Sequence, residues 1–136
     1  MRAHLTGSCH CGAQKIAFDT DRPLAPRACQ CGFCRRHGAR TVTDPGGTAV
    51  LELDPQARLY RFATRSADYV LCGRCGVYLG AVTAIDGGVF ATLNLNTFDD
   101  PRPDLDAAPV SYEGEAVDEK SERRRRAWTP ATLREG

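Results

Sequence analysis

Short runs of alternating apolar and polar residues fill the first hundred positions of the chain. Alternation of this kind predicts strands with one buried face; within residues 14–19, for example, Ile16 and Phe18 share a side. The pattern predicts strands at residues 3–6, 14–19, 48–53, 58–63, 68–71, 77–84 and 89–94, and a shorter one near 109–112. Turns rich in glycine and proline separate them, and one helical turn is expected from Cys34 to Gly38. We predict a mainly β fold of short antiparallel sheets.

The C-terminal segment is much more polar than the rest of the chain. Residues 113–126 mix acidic and basic side chains and end in four consecutive arginines at positions 123–126. Because acidic residues in the same segment balance them, we expect a solvated helix face or a loose tail rather than a nucleic-acid patch. The chain is therefore divided into a β domain at residues 1–114 and a charged segment at 115–136, which packs on that domain or trails from it.

Composition narrows the class of protein. With 136 residues, of which 42% are hydrophobic and 26% charged, the chain has the size of one globular domain and is too apolar to be disordered. A formal net charge of +1 argues against a general electrostatic attraction to nucleic acid or membranes. No apolar run approaches the roughly 20 residues of a membrane-spanning helix. The N-terminus lacks the apolar core of a signal peptide, so we expect a cytoplasmic protein.

Seven cysteines carry the candidate chemistry, and each belongs to a cluster. The clusters are Cys9 with Cys11, then Cys29, Cys31 and Cys34, then Cys72 with Cys75. An odd number of clustered thiols in a reducing compartment indicates metal binding rather than disulfides. Glycine follows directly at positions 12, 32 and 76, where a metal-binding turn often needs a positive φ. This pattern predicts zinc.

Seven ligands divide into four and three. Zinc takes four protein ligands in a structural site, and three plus an exchangeable group in a catalytic site. The two isolated pairs are assigned to a closed structural site: Cys9, Cys11, Cys72 and Cys75. The remaining residues, Cys29, Cys31 and Cys34, would hold a second zinc with one position open. Two alternatives remain for this second site: His37 closes it as a structural Cys₃His site, or it is only partly occupied.

Two other uses of clustered cysteines fit the sequence less well. A redox dithiol at Cys72 and Cys75 would need a helix after it, but a strand-like run follows. Zinc-dependent deamination needs a glutamate two residues after the first ligand, and cysteines occupy those positions here.

An open zinc with three thiolates suits a soft fourth ligand, such as a substrate thiol. Binding of that thiol as a thiolate would add negative charge. Arg35 and Arg36 stand directly after Cys34 and are expected to offset this charge or to bind carboxylates of an anionic thiol. We therefore place Arg35 with Cys29, Cys31 and Cys34 among the candidate catalytic residues.

The three cysteine motifs together resemble those of the glutathione-dependent formaldehyde-activating enzymes, a family that includes the centromere protein V domain. The motifs are Gly7-Ser8-Cys9-His10-Cys11-Gly12, Cys29-x-Cys31-x-x-Cys34-Arg35-Arg36 and Cys72-x-x-Cys75-Gly76. The resemblance implies a β-tent fold, a structural zinc on the four paired cysteines and a second, more labile zinc on the other three. It also implies the condensation of formaldehyde with glutathione to S-hydroxymethylglutathione, or the reverse cleavage, which is a carbon–sulfur lyase reaction. One departure is Gln30, where members commonly carry histidine.

Two function hypotheses follow. In the first, the protein is a zinc-dependent carbon–sulfur lyase that acts on a thiol–aldehyde adduct. In the second, it is a non-catalytic module with two structural zincs, and its basic run contacts an acidic partner or nucleic acid. The fourth ligand of the second zinc distinguishes them, because a bound His37 favours the module and an exchangeable thiol favours the enzyme.

Overall fold

The computed structural model of the protein describes residues 2–135, which form a mainly β fold. The strands are β1 (Ala3–Ser8), β2 (Lys15–Thr20), β3 (Arg27–Cys29), β4 (Thr41–Val42), β5 (Thr48–Leu53), β6 (Ala57–Tyr60), β7 (Asp68–Cys72), β8 (Tyr78–Ile85), β9 (Gly88–Asn94), β10 (Ala108–Val110) and β11 (Thr129–Glu135). The helices are α1 (Gly32–His37) and α2 (Val117–Ala127), and a 3-10 turn covers Leu95–Thr97. Across residues 2–135, no helix combines the length and the apolar character that a membrane crossing needs.

The strands form one open, branched sheet. Its main path runs β1-β2-β5-β11-β9-β4-β3-β10, and β8, β7 and β6 continue outward from the other edge of β9. Most neighbours are antiparallel, which confirms the predicted class of short antiparallel sheets. Two pairs are parallel, namely β10 with β3 and β11 with β5. Both involve strands from the C-terminal part of the chain.

The sheet has two arms, which are β1, β2 and β5 on one side of β11 and β9 with β8, β7 and β6 on the other. The main core joins these two arms. Ile16 and Phe18 from β2 pack in the same buried cluster as Val70 from β7 and Leu79 from β8. The alternation in β2 has the sidedness that the sequence predicts, since its buried residues alternate with more exposed ones. Burial of each large apolar side chain contributes about 1.5–3 kcal/mol. This core holds the loops that carry the cysteines.

The C-terminal segment is part of the sheet. Residues 131–135 of β11 pair with β5, and Thr129 and Pro130 pair with β9, so β11 joins the two arms. Thr129 is fully buried, and its hydroxyl accepts a hydrogen bond from the backbone N–H of Asp44 at 2.8 Å. The segment expected to pack on or trail from the β domain thus supplies an internal strand, and α2 leads the chain into it.

Candidate metal centres and active site

Four cysteines meet where two loops approach each other. Cys9 and Cys11 lie in the turn between β1 and β2, while Cys72 ends β7 and Cys75 follows in the turn to β8. Their sulfurs all lie within 4.8 Å of one another, with Cys11 Sγ 3.7 Å from Cys9 Sγ and 3.6 Å from Cys72 Sγ. We call this group the tetrad. The structure therefore brings together the four residues that the sequence assigned to one closed site.

Glycine permits both tetrad turns. Gly12 has φ +83° and Gly76 has φ +82°, values that strain any residue with a Cβ atom. The turns aim backbone N–H groups at the sulfurs, including that of Gln14 toward Cys9 Sγ at 3.3 Å and that of Arg74 toward Cys72 Sγ at 3.4 Å. The expectation for the third glycine was wrong, because Gly32 is the first residue of α1 and does not adopt a positive φ.

Hydrogen bonds favour the thiolate form of Cys72 in the tetrad. Burial opposes ionisation of Cys72, but the backbone N–H groups of Cys75 and Arg74 and the Gln14 amide outweigh it and lower the pKa of Cys72 to about 6. Gln14 is itself fully buried. Its amide donates to Cys72 Sγ at 3.8 Å and to Asp54 Oδ1, and its Oε1 accepts from the Asp54 backbone N–H at 2.9 Å. This side chain connects the tetrad to the turn after β5, a role that the sequence reading missed.

The other three cysteines form a separate, local group, which we call the trio. Cys29 ends β3, Cys31 caps the N-terminus of α1, and Cys34 is the buried residue of that helix. Cys31 Sγ accepts the backbone N–H of Cys34 at 3.3 Å, and the αL residue Gly38 ends the helix as the sequence predicts. All three sulfurs lie within 4.8 Å of one another.

The trio has three protein ligands. Within residues 2–135, no histidine nitrogen and no carboxylate oxygen lies within 4.8 Å of all three sulfurs. The ring of His37 instead lies against Phe33, with 4.5 Å between ring centroids, and 5.4 Å from the ring of Tyr78. The alternative in which His37 closes the site is therefore not supported by this geometry.

The trio shares protons unevenly. A hydrogen bond from the Cys34 thiol, aided by the Cys31 backbone and the charge of Arg123, lowers the pKa of Cys29 to about 5. The same contact with Cys29, together with burial, raises the pKa of Cys34 far above its ordinary value. A thiolate at Cys29 is the form that binds metal.

A large cavity adjoins two residues of the trio, Cys29 and Cys31. Its volume is about 520 Å³, within the range of roughly 300–1,000 Å³ that is typical of small-molecule sites. Cys29 and Cys31 contribute to its wall on one side, and Lys120, Arg123 and Arg124 from α2 on another. A second cavity, of about 50 Å³, adjoins Cys29 and Cys34. We call them the large and the small cavity.

Most cations that line the two cavities come from α2, and Arg27 of β3 also lines the small one. Arg123 lies 3.5 Å above the ring centroid of Tyr112 and donates to the Glu115 carboxylate, with Nε 3.0 Å from Oε2. Arg124 is 5% exposed, donates to Ser66 Oγ at 2.8 Å and lies 4.9 Å from the ring centroid of Trp128. Both arginines contribute to the walls of both cavities.

Half of the arginine run therefore points into the protein, contrary to the expectation of a solvated face or tail. Arg126 is exposed, and Arg125 forms exposed ion pairs with Asp86 and Glu122. Arg35 and Arg36, the cations that the sequence favoured, are exposed on α1 and line neither cavity. A signal was present in the sequence: Tyr112 and Trp128 flank the run, and arginine packs well on aromatic faces.

Both groups fit zinc by their donor sets and spacing. A tetrahedral site with zinc–sulfur bonds of about 2.3 Å has sulfurs about 3.8 Å apart. The tetrad distances of 3.6 and 3.7 Å match this edge length. The clusters can thus hold metal ions, the tetrad with four thiolates and the trio with three.

Comparison with known proteins agrees with this arrangement. A family model described as "Glutathione-dependent formaldehyde-activating enzyme" matches residues 4–112. A crystal structure of a Rhodobacter sphaeroides protein has a similar fold, with a TM-score of 0.59 and 29% sequence identity over 76% of this chain and 97% of that one. The family match covers most of the sequence and includes all seven cysteines. The chain therefore belongs to the glutathione-dependent formaldehyde-activating enzyme family.

Proposed function

We propose that the protein is a zinc-dependent carbon–sulfur lyase that joins a small aldehyde to a thiol, or cleaves the adduct, with formaldehyde and glutathione as substrates. In this proposal the tetrad holds a structural zinc and the trio holds a second, exchangeable one. The seven cysteines are all free, as expected for a reducing compartment such as the cytoplasm.

One observation carries the proposal: the trio lacks a fourth protein ligand among the described residues, and two of its three cysteines line a cavity that basic side chains also line. A closed structural zinc site would be expected to have four protein ligands and no adjoining cavity. The trio has three, and the large cavity reaches Cys29 and Cys31. The position left for an exchangeable ligand therefore faces space that a thiol of glutathione size can enter.

The charge of the cavity wall suits an anionic thiol. Three thiolates on a divalent ion leave a net charge of about −1, and a fourth thiolate would make it more negative. Two acidic residues, Glu113 and Glu115, also contribute to the wall of the large cavity. Lys120, Arg123 and Arg124 outnumber them and offset part of this negative charge from the α2 side. The same side chains are placed to bind the carboxylates that glutathione carries. Zinc bound at the trio would lower the pKa of the substrate thiol and hold it as a nucleophile.

The remaining walls orient the substrate. Tyr69 and Phe62 give the large cavity an aromatic side close to Cys31, and Ser111 and Thr64 give it hydroxyl groups. Phe33 lies behind the trio, with its ring 4.9 Å from the rings of both Tyr69 and Tyr78. This aromatic packing holds α1, and hence Cys31 and Cys34, in a fixed position relative to the cavity.

The test is a measurement of exchange between ¹³C-formaldehyde and S-hydroxymethylglutathione by NMR, with the zinc-loaded protein present. We expect the protein to raise the exchange rate well above the uncatalysed rate, and the Cys31→Ser variant to return it to that rate. A wild-type protein with two bound zincs and no effect on exchange would contradict the proposal and favour the non-catalytic module.

A further inference from the structure

Two buried polar atoms have no hydrogen-bond partner, and both belong to residues at the small cavity. They are Tyr78 Oη and Arg124 Nε, and among the side chains of the described residues no other buried nitrogen or oxygen is unpartnered. Tyr78 is 2% exposed and Arg124 is 5% exposed. An unpaired buried donor costs about 1–3 kcal/mol, so two at one place indicate a ligand that completes them.

The small cavity lies next to the reacting centre of the proposed function. Cys29 and Cys34 contribute to its wall, together with Tyr78, Arg124 and Thr92. The two cavities share a wall beside the trio, formed by residues that line both of them: Cys29, Tyr69, Tyr112, Arg123 and Arg124. A molecule in the small cavity would therefore be adjacent to a thiol that enters through the large one.

Volume limits what the small cavity can hold. A cavity holds one water molecule when about 10–15 Å³ of space is open to the centre of that molecule. The small cavity measures about 50 Å³, which admits a molecule of only a few non-hydrogen atoms. Two N–H or O–H donors on residues of one cavity wall call for an acceptor with two lone pairs, and a carbonyl oxygen has them.

We infer that the small cavity is the aldehyde site, in which Tyr78 Oη and Arg124 Nε donate hydrogen bonds to the carbonyl oxygen of a one-carbon aldehyde. This inference rests on the proposed function and adds the residues that bind the aldehyde. During addition the thiol S–H bond breaks and a C–S bond forms at the carbonyl carbon. The C=O π electron pair moves to oxygen, which takes up the proton. Negative charge develops on this oxygen, so donors fixed beforehand stabilise the transition state more than the free aldehyde.

The hydroxyl of Tyr78 is tested by Tyr78→Phe, which keeps the ring and removes only the unpartnered oxygen. Loss of one donor to a developing oxyanion typically costs 10²–10³ in turnover. We expect turnover with formaldehyde to fall about 100-fold, while the KM for glutathione and the zinc content stay unchanged and the urea midpoint of unfolding does not fall. Tyr60→Phe is the matched control, because Tyr60 is half exposed on β6 and lines neither cavity.

Two results of this experiment would overturn the inference. In the first, Tyr78→Phe retains turnover within twofold of the wild type. In the second, it loses stability or zinc together with turnover, since the hydroxyl would then have a structural role. A wild-type protein without any lyase activity would contradict the proposed function as well, whereas an active wild type matched by Tyr78→Phe would contradict only the aldehyde site.

Size selection gives an independent test through Thr92. This threonine is 7% exposed, lies on β9 and contributes to the wall of the small cavity. Thr92→Ala enlarges the cavity, so we expect the ratio of kcat/KM for acetaldehyde to that for formaldehyde to rise about tenfold. Thr83→Ala is the control, because Thr83 is also 7% exposed but lies outside both cavities. An unchanged ratio in Thr92→Ala would contradict the assignment.

Discussion

The tetrad and the trio use the same ligand atoms but are built in different ways. The tetrad joins two loops, and its Cys11 and Cys72 are 61 positions apart in the chain. The trio takes its three sulfurs from six consecutive residues at the junction of β3 and α1. The tetrad is surrounded by backbone N–H groups, whereas two members of the trio line a large cavity.

This difference suits a metal in the tetrad to stabilising the fold and a metal in the trio to exchanging a ligand. A metal in the tetrad would cross-link distant parts of the sheet and would be present only when the chain is folded, so its binding energy stabilises the fold. A metal in the trio would cross-link little, because α1 and the end of β3 are already adjacent in sequence. In the proposed function, a metal in the trio would therefore exchange its fourth ligand without disturbing the core, and a metal in the tetrad would not.

The largest expected effect is that of Cys72→Ser. Structural zinc sites supply about 10–16 kcal/mol of apparent binding free energy, which equals or exceeds the typical stability of a whole domain, about 5–15 kcal/mol. We expect this variant to lose both metals and most of its β structure at 25 °C, as measured by circular dichroism and elemental analysis. A folded Cys72→Ser protein that retains two zincs would show that the tetrad has no structural role.

Cys31→Ser is the matched variant of the trio. Serine caps helices well and can accept the Cys34 backbone N–H in place of the sulfur, so α1 should persist. We expect one zinc per chain instead of two, no lyase activity and a free energy of unfolding within about 2 kcal/mol of the wild type. If this variant loses all zinc and all structure, the division into four and three is wrong.

Arg123→Met tests the basic side chains in the wall of the large cavity. Removal of a charge-assisted contact to a substrate carboxylate costs about 1.5–3 kcal/mol, so we expect the KM for glutathione to rise at least tenfold. Arg126→Met, which alters an exposed residue of the same helix, should leave the KM unchanged. Arg35→Met tests the cation that the sequence favoured. A larger effect at Arg35 than at Arg123 would show that α1, not α2, provides the anion-binding group.

The smallest predicted effect concerns the tetrad. Gln14→Leu removes the amide that connects Cys72 with Asp54 and leaves the Asp54 backbone N–H without this acceptor. We expect the zinc-loaded protein to lose about 1–3 kcal/mol in urea unfolding. Gln56→Leu, at an exposed position in the neighbouring turn, should change little. Equal stability of the two variants would show that Gln14 does not support the tetrad.

The sequence predicted the parts of the fold that depend on local alternation. Strands β2 and β5 bury alternate residues, whereas β8 and β9 are buried in longer runs. The positions of all four were predicted to within a few residues. Strands β3 and β4 have three and two residues, too few to show a period. Strand β11 is mostly exposed and begins Thr129-Pro130, so its place comes from pairing with β5 and β9 rather than from its own pattern.

For the site, the sequence predicted which cysteines lie together but missed the residues that line the cavities. Cysteine spacing separated the tetrad from the trio, because the seven cysteines form two isolated pairs and one group of three, and zinc takes four or three protein ligands. The roles of Arg123 and Arg124 depend on which face of α2 meets the sheet, and a helix with a single buried residue, Arg124, has no apolar stripe to reveal it. Gln14 and Tyr78 were missed for a similar reason. The partners of Gln14 are distant in sequence, and the hydroxyl of Tyr78 has no partner among the described residues.

The most direct test of the account is a titration of glutathione into the cobalt-substituted protein, followed by absorption of the thiolate-to-cobalt charge-transfer band. We predict that in the wild type the intensity of this band rises by the amount that one additional thiolate ligand per chain contributes. In Cys31→Ser we expect no change. A wild-type spectrum that is insensitive to glutathione would contradict the claim that the trio, unlike the tetrad, has a position open to a substrate thiol.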